Sequence, residues 1–328
     1  MDLLKLLKDK AEYFTKSDKA HGISSVVSHI EVAERHYEGG KSGDDYLFND
    51  VIYRCNQAFE GALKEAYRII TGKDSNRITS HKIEKYFDQN NVLKERVLQL
   101  FTNYRTEWRN KSTHDYKLYF AEQEAFLAIV NISAFISILL DQMVEKRAYD
   151  KEVIALKGKP KSKINKSKTK SFLERVADLL MAYSVEVPKK AKGTTIPRIT
   201  EVEIFGSLTA FINNMANDIT VFSEYSILND DNNRMYYADF FLQKDDEKLI
   251  IEIKNAVHSV ARILSNGTNQ LMTYLTAFGV KQGILYIPPT RKEVELELVT
   301  LDRKVGEDVY SIIQIYPKKD LTNTSTER

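Results

Sequence analysis

The spacing of apolar residues changes along this chain of 328 residues. Up to residue 147 they recur at helical spacing, as in Tyr46 to Ile70 and Ala121 to Met143, and the first proline is Pro160. From residue 219 onward they instead fall in short runs bounded by turn residues, which is typical of strands. The sequence therefore predicts a multidomain α and α/β protein, with an all-α helical bundle over residues 1–147 and an α/β domain over residues 171–318.

A lysine-rich segment separates the two parts. Residues 148–170 include KGKPKSKINKSKTK, with seven lysines in 14 residues and no periodic apolar face, which predicts a linker. Residues 151–200 carry 13 Lys and Arg against 4 Asp and Glu, although the net charge of the chain is only +2. Such a segment favours attachment to a polyanion, and a solvated linker is the alternative. A flexible tail is predicted for residues 319–328.

Composition excludes several classes of protein. The 43% hydrophobic and 29% charged residues are typical of a soluble globular protein. A single cysteine, Cys55, excludes an internal disulfide framework and a Cys-rich zinc site. No apolar run of signal-peptide length starts the chain, and the longest apolar run, residues 126–140, contains polar residues. These features predict a cytoplasmic protein without a membrane span.

Two predicted strands carry charged residues that are expected to lie together. Asp239 lies in the middle of MYYADFFLQ and Glu252 near the end of KLIIEIK, with a polar turn between the strands. Because side chains alternate along a strand, Glu252 and Lys254 project from one face, while Ile251 and Ile253 face the core. Pairing of the strands would place both carboxylates at one edge of the sheet. With the backbone carbonyl of Ile253, they would provide oxygen ligands for Mg²⁺ or Mn²⁺.

This spacing resembles the motif of the PD-(D/E)xK nuclease superfamily. Asp239 is followed by twelve residues and then by Glu252-Ile253-Lys254 in the next predicted strand. The predicted order of helix, three strands, helix and strand over residues 203–287 is similar to the restriction-endonuclease-like α/β core of that superfamily. The resemblance implies a metal-dependent endonuclease, in which Asp239 and Glu252 hold the metal. Lys254 would position water or stabilise charge at the phosphate.

The same resemblance implies further site residues. Gln270 and Tyr274 stand four apart on the next predicted helix and therefore share one face, which is similar to the RecB-type branch of the superfamily. Both are expected to take part in catalysis. The superfamily often adds an acid from its first helix. Glu203 is the first choice for that acid, as a further metal ligand, and Glu174 is the second.

The helical half contains an Arg-Asn pair followed by a histidine. In EWRNKSTHDY, between two long predicted helices, Arg109 and Asn110 precede His114. The pattern resembles the Arg-Asn-x-x-x-His motif of HEPN domains, which are small helical bundles, over about residues 44–146. The resemblance implies a homodimer and a metal-independent ribonuclease. His114 would act as general acid or base, Arg109 would hold the phosphate, and Asn110 would orient the loop or the phosphate.

These features together predict a two-domain nuclease that acts in prokaryotic defence against phage or other foreign nucleic acid. DNA is the first choice of substrate for the metal-dependent site, but the sequence does not decide between DNA and RNA. One alternative is a HEPN ribonuclease that uses Arg109 and His114, with a degenerate nuclease fold as a binding platform. Another is a non-catalytic adaptor that binds nucleic acid through the lysine-rich segment.

The lysine-rich segment generates a first testable prediction. Replacing its seven lysines between Lys157 and Lys170 by glutamine should weaken nucleic-acid binding at raised salt, because fewer counterions are released on binding. Fluorescence anisotropy over a salt series measures this, and the slope of log affinity against log salt should become less steep. Single-turnover cleavage at saturation should stay within about twofold of the unmodified chain. An unchanged slope would show that the segment does not contact phosphate.

Overall fold

The computed structural model describes most of the chain and divides it into two compact units, Met1–Arg147 and Ala148–Arg328. Within the described residues there are nine α-helices and one mixed six-stranded sheet, so the predicted combination of α and α/β structure is confirmed. The described residues are 2–15, 21–109, 119–158, 170–190, 199–229, 234–255, 260–289 and 295–318.

All the regular secondary structure in the described residues of the first unit is helical. Its third helix is amphipathic and buries Cys55, Phe59 and Leu63 at helical spacing. The ring of Phe59 lies 5.7 Å from that of Phe101 and 5.4 Å from that of Phe135, so three helices meet there. The helices are α1 (Leu3–Thr15), α2 (His21–Lys41), α3 (Leu47–Thr71), α4 (Ser80–Asn90), α5 (Glu95–Tyr104), which a π-helix (Arg105–Arg109) follows, and α6 (Glu122–Leu156).

Helix α6 is the longest, with 35 residues. Its length and composition would allow it to cross a membrane, but 61% of its most apolar 18-residue window is buried in the protein, as in a core helix. The helix also extends nine residues into the predicted linker. Its buried residues Ala148, Glu152 and Leu156 recur every four residues, which is the spacing of one helical face. Most of the remaining linker and the predicted tail lie outside the described residues.

The second unit has one sheet with helices on both faces. The strand order is β1-β2-β3-β4-β6-β5, in which β1 to β3 form an antiparallel meander, β4 is parallel to β3 and β6, and β5 is antiparallel to β6. The elements are α7 (Phe172–Lys190), α8 (Glu201–Met215), β1 (Thr220–Asn229), β2 (Arg234–Lys244), β3 (Glu247–Ile253), α9 (Val260–Phe278), β4 (Gln282–Tyr286), β5 (Leu296–Val305) and β6 (Asp308–Pro317).

The predicted order of helix, three strands, helix and strand is present as α8, β1, β2, β3, α9 and β4. The hairpin of β5 and β6 was not predicted. Strand β5 lies at the edge of the sheet and most of its side chains are exposed, so no apolar run marks it. Gly306, with a φ of 60°, occupies the left-handed conformation in the turn between these two strands.

The side chains of β3 divide between two cores. Leu249, Ile251 and Ile253 belong to a cluster with residues of α7 and α8, on one face of the sheet. Ile250 belongs to a second cluster, which includes Leu271 of α9 on the other face. The predicted alternation is therefore confirmed. The face that carries Glu252 is covered by α9, so that face is also largely buried.

A capping box starts α8. The hydroxyl of Thr200 accepts from the backbone N–H of Glu203 at 3.3 Å, and the carboxylate of Glu203 accepts from the backbone N–H of Thr200 at 2.8 Å. These bonds satisfy two backbone donors at the start of the helix. They also hold the first turn, which includes Glu201, in one orientation.

Removing this cap should destabilise the second unit. We expect Thr200→Ala to lower the free energy of unfolding by about 1 kcal/mol, the typical value for an N-cap, as measured by urea denaturation. Glu203→Gln should retain most of the stability because glutamine also forms capping boxes. The matched control is Thr209→Ala within the same helix, where the hydroxyl donates only to the carbonyl of Phe205. An equal loss in the control would contradict the role of the cap.

Candidate metal-binding and catalytic site

The structure brings Asp239 and Glu252 together. The register of β2 and β3 pairs Phe240 with Ile251, and one step further along the two strands Asp239 lies across from Glu252. The backbone N–H of Ile253 donates to Oδ2 of Asp239 at 2.7 Å. Glu252 is only 1% exposed, whereas Asp239 is partly exposed. Glu252 is thus fully buried, and Asp239 keeps only part of its surface in contact with solvent.

Lys254 contacts this acidic pair directly. Its Nζ donates to Oε1 of Glu252 at 2.6 Å, and its side chain is 30% exposed. The second oxygen of Glu252, Oε2, is buried and accepts no hydrogen bond from an N–H or ammonium group of the described residues. A hydrogen bond from the neighbouring Asp239 side chain lowers the pKa of Glu252. Gly267 of α9 leaves room for Leu285, since a Cβ there would lie 2.8 Å from Cδ1 of Leu285. The same Cβ would lie 3.4 Å from Cγ of Lys254, which is an ordinary contact, so the lysine stem passes close to this turn of α9.

The electrostatics of the pair favour binding of a proton or a cation. Burial, together with the charge of Glu252, raises the pKa of Asp239 to about 8. The hydrogen bond from the backbone N–H of Ile253 lowers this pKa but only partly offsets the rise. Burial also raises the pKa of Glu252, although Lys254 opposes this. Burial disfavours the charged form of Lys254, but its hydrogen bond to Glu252 and the charges of Glu252, Asp239 and Glu201 together outweigh burial. The pKa of Lys254 is therefore raised, and it stays protonated. Without a metal, the two carboxyl groups hold a proton near neutral pH.

The two acids predicted on the preceding helices have another role. Glu203 accepts the capping hydrogen bonds of Thr200, as described above. Glu174 accepts from the backbone N–H and the hydroxyl of Ser171, both at 2.9 Å, before the first turn of α7. The structure thus places Glu203 in the cap of α8, and its role as a metal ligand stays a prediction. A Ser or Thr three residues before a Glu is the capping-box pattern, and this signal was present in the sequence.

The acid that α8 places near the pair is Glu201, which sequence reasoning missed. Its charge acts on the pKa values of Asp239, Glu252 and Lys254. Burial raises the pKa of Glu201 itself, and Lys254 opposes this rise. Side chains two positions apart on an α-helix point about 200° away from each other, so Glu201 and Glu203 cannot serve the same site.

Gln270 and Tyr274 lie on α9 and contact each other. Nε2 of Gln270 donates to Oη of Tyr274 at 2.7 Å, so the predicted shared face is confirmed. Burial raises the pKa of Tyr274, and the charges of Glu252 and Asp239 raise it further. The tyrosine is therefore in electrostatic contact with the acidic pair. Its hydroxyl stays protonated near neutral pH.

The first unit contributes Arg109 from the predicted ribonuclease motif. Arg109 is the last residue of the π-helix, and its Nη2 lies 3.9 Å from Oε1 of Glu60 on α3. Its charge also acts on Glu84 of α4. Burial raises the pKa of Glu84, and the positive charges of Arg109 and Arg105 oppose this rise. Asn110 and His114 lie outside the described residues, so their predicted roles stay predictions.

The residues present fit a divalent cation with few protein ligands. Within the described ranges, no group of three or more His, Cys, Asp and Glu side chains could hold a metal ion. The two carboxyl groups of Asp239 and Glu252 nevertheless suit Mg²⁺, which keeps several waters and binds through one or two carboxylates. The buried Oε2 of Glu252 is the position where a cation would replace a missing N–H or ammonium donor. The carbonyl of Ile253 stays a predicted ligand.

Comparisons with protein families, with curated proteins and with solved structures find no match to this chain. The chemistry of the site is therefore inferred from its own residues.

The raised pKa of Asp239 generates a prediction for stability. An acid with a raised pKa is destabilising when ionised, and this destabilisation grows from about pH 4, near its ordinary pKa, to about pH 8. Asp239→Asn should therefore raise the melting temperature at pH 8.5 and change it little at pH 4. The expected shift is about 2–4 °C for each kcal/mol regained.

Mg²⁺ provides a second measurement on the same variant. Mg²⁺ should raise the melting temperature of the wild type, because a ligand that binds only the folded state stabilises that state. It should not raise the melting temperature of Asp239→Asn, which lacks one of the two carboxylates. The matched control is Asp246→Asn, an exposed acid in the turn between β2 and β3, which should behave as the wild type. Equal responses of both variants to pH and Mg²⁺ would contradict a cation site at Asp239.

Proposed function

We propose that the second unit is a nuclease that cleaves phosphodiester bonds with Mg²⁺ or Mn²⁺ held by Asp239 and Glu252. The observation that carries this proposal is the close acidic pair beside a lysine, with Oε2 of Glu252 buried and without an N–H or ammonium donor from the described residues. Such an arrangement costs the folded state free energy unless a cation binds. A restriction-endonuclease-like core is part of the proposal, and the order of α8, β1, β2, β3, α9 and β4 supports it.

Each side chain of the site has a proposed role in hydrolysis. A divalent cation, when bound, supplies Lewis-acid activation of water and charge neutralisation at the phosphate. The ammonium of Lys254 is oriented by Glu252 and is partly exposed, so it positions the attacking water or stabilises negative charge that develops on the phosphate. Glu201 adds negative charge near the pair and strengthens its attraction for a cation.

Gln270 and Tyr274 are proposed to contact the substrate. Because Gln270 donates to Oη of Tyr274, the hydroxyl proton of Tyr274 points to a different acceptor. A phosphate oxygen at the site would provide that acceptor. The raised pKa of Tyr274 keeps this proton in place at neutral pH.

The first unit is proposed to be a HEPN-like domain through which the protein forms a homodimer. Large apolar side chains are exposed on its surface, which supports an association surface. They are Tyr46, at 72% exposure, with Tyr53, Tyr119, Phe126 and Leu127. The proposed setting is the cytoplasm of a prokaryote, in defence against foreign nucleic acid, with DNA as the first substrate and RNA as the second.

A metal-independent ribonuclease in the first unit is the second candidate function. Arg109 lies at the end of a π-helix, and short π-helices are frequent at functional sites. His114 would be its general acid or base. In this case the second unit would bind RNA without cleaving it.

Cleavage assays with matched variants test these proposals. Purified protein should cleave nucleic acid with Mg²⁺ and lose this activity in chelator. Asp239→Asn and Lys254→Met should each lower the rate by roughly 10²–10³-fold, as for loss of a group that stabilises the transition state. Glu201→Gln should lower it as well, whereas Glu203→Gln should stay within about threefold of the wild type, since its carboxylate only caps α8.

The metal-independent ribonuclease of the first unit, the second candidate, predicts cleavage that does not depend on Mg²⁺. Activity that persists in chelator and disappears in His114→Ala would assign cleavage to the first unit. A biological phenotype that survives Asp239→Ala, Glu252→Ala and His114→Ala would instead favour a non-catalytic adaptor.

A further inference from the structure

Strand β1 contains a residue with a left-handed backbone in its middle. Glu224 has a φ of 48°, whereas φ in a regular antiparallel strand is about −140°. Positive φ values are uncommon for residues other than glycine, and they cluster at functional sites. The ladder pairs Tyr225 with Ala238, so Glu224, one step further, lies across from Asp239. The strained residue is therefore the neighbour of the proposed metal ligand on β2.

The side chains of β1 change face at Glu224. Phe222 and Tyr225 are three positions apart and would face opposite sides of the sheet in a regular strand, because side chains alternate. Their ring centroids instead lie 5.5 Å apart, and those of Phe241 lie 6.2 and 4.5 Å from them. Phe241 belongs to the core beneath α9, so all three rings lie on that face. The left-handed residue thus shifts the alternation of β1 by one position.

Strand β2 changes face at the opposite residue, Asp239. Ala238 and Phe241 are three positions apart, yet both belong to the core cluster beneath α9. Phe240 belongs to the cluster on the other face of the sheet. The alternation of β2 therefore breaks at Asp239, and two adjacent strands lose their alternation at the same pair of residues.

This break lets the side chain of Asp239 contact β3. The ladder of β2 and β3 pairs Phe240 with Ile251, and two residues further a regular ladder would pair Ala238 with Ile253. The backbone N–H of Ile253 donates instead to Oδ2 of Asp239, at 2.7 Å. The carboxyl group thus takes the place of a backbone acceptor at the end of the ladder.

Glu224 has two ways to act on the site, through its charge and through its backbone. Burial raises the pKa of Glu201, and the charge of Glu224 raises it further, so the carboxylate of Glu224 lies near the acidic site. The change of face in both strands depends instead on backbone conformation. Glycine adopts positive φ without steric cost, so a glycine at this position would hold Asp239 as the glutamate does.

We propose that Glu224 positions Asp239 through its left-handed backbone, which shifts the alternation of β1 and β2 at one pair and directs the carboxyl group of Asp239 to the end of β3. Glu224 is a positioning residue that acts through Asp239. The inference rests on the proposed metal-dependent nuclease function and identifies what assembles its site.

Substitutions that differ in their tolerance of positive φ test the inference. Hydrogen exchange of the Ile253 amide, followed by NMR, reports its bond to Asp239. Exchange should be at least about tenfold faster in Glu224→Val than in the wild type, because a β-branched residue disfavours positive φ. It should stay within about threefold of the wild type in Glu224→Gly, which keeps the left-handed conformation.

Melting temperature and Mg²⁺ provide a second readout. Glu224→Gly should melt at or above the wild type, since glycine relieves the strain, and should keep the rise in melting temperature with Mg²⁺. Glu224→Val should lose that rise, because Asp239 leaves its place. Should Glu224→Val not fold, Glu224→Gly decides alone. A lower melting temperature, faster exchange of Ile253 or a lost Mg²⁺ response in Glu224→Gly would each overturn the inference.

Asp245 provides a matched control for strain. It also has a left-handed backbone, with a φ of 52°, but lies in the exposed turn between β2 and β3. Asp245→Val should lower the melting temperature as well, yet leave the exchange of Ile253 and the Mg²⁺ response as in the wild type. Equal acceleration of Ile253 exchange in the two valine variants would show general destabilisation and overturn the inference.

The inference and the nuclease proposal fail in different assays. Mg²⁺-dependent cleavage that persists in Glu224→Val with unchanged exchange of Ile253 would overturn the positioning role and leave the nuclease standing. Loss of Ile253 protection and of the Mg²⁺ response in Glu224→Val alone, without cleavage by the wild type in Mg²⁺ or Mn²⁺, would support the positioning role and remove the nuclease.

Discussion

The second unit depends on one unfavourable contact, between the carboxyl groups of Asp239 and Glu252. Both are largely desolvated beneath α9, and each raises the free energy of ionising the other. One hydrogen bond from Ile253 and one from Lys254 offset only part of this cost. A sheet built for stability alone would place apolar residues at these positions, because a buried ion pair is often less stable than an apolar replacement. The cost of this contact is the physical basis of the proposed cation site.

The elements around this contact hold it in place. The meander of β1, β2 and β3 places the two acids across from each other, and the parallel strand β4 supports β3 through a bond from the N–H of Lys254 to the carbonyl of Tyr286 at 3.0 Å. Gly267 lets α9 approach Leu285 of β4. The cap of Thr200 and Glu203 directs the first turn of α8. A rigid scaffold of this kind would hold the proposed catalytic groups within the small tolerances that hydrolysis requires.

Much of the site was predictable from local sequence. The alternation in KLIIEIK placed Glu252 and Lys254 on one face, and the four-residue spacing placed Gln270 beside Tyr274; both contacts are present. The edge strand β5 and the helical start of the linker were missed, because an exposed strand has no apolar run and the apolar spacing after residue 147 was sparse. Glu201 was missed because Glu203 was assigned to the site, although the capping-box pattern accounts for Glu203.

The sequence by itself determined the order of helix, three strands, helix and strand from α8 to β4, since periodicity is a local property of the chain, whereas the core strand β6 was not predicted. It also determined that an acid and a lysine share one face of β3. Only the tertiary structure decided that α9 covers this face, that Glu201 lies near the pair and that Oε2 of Glu252 is buried without an N–H or ammonium donor from the described residues. These properties depend on desolvation and on distances between residues remote in sequence, which spacing along the chain does not specify.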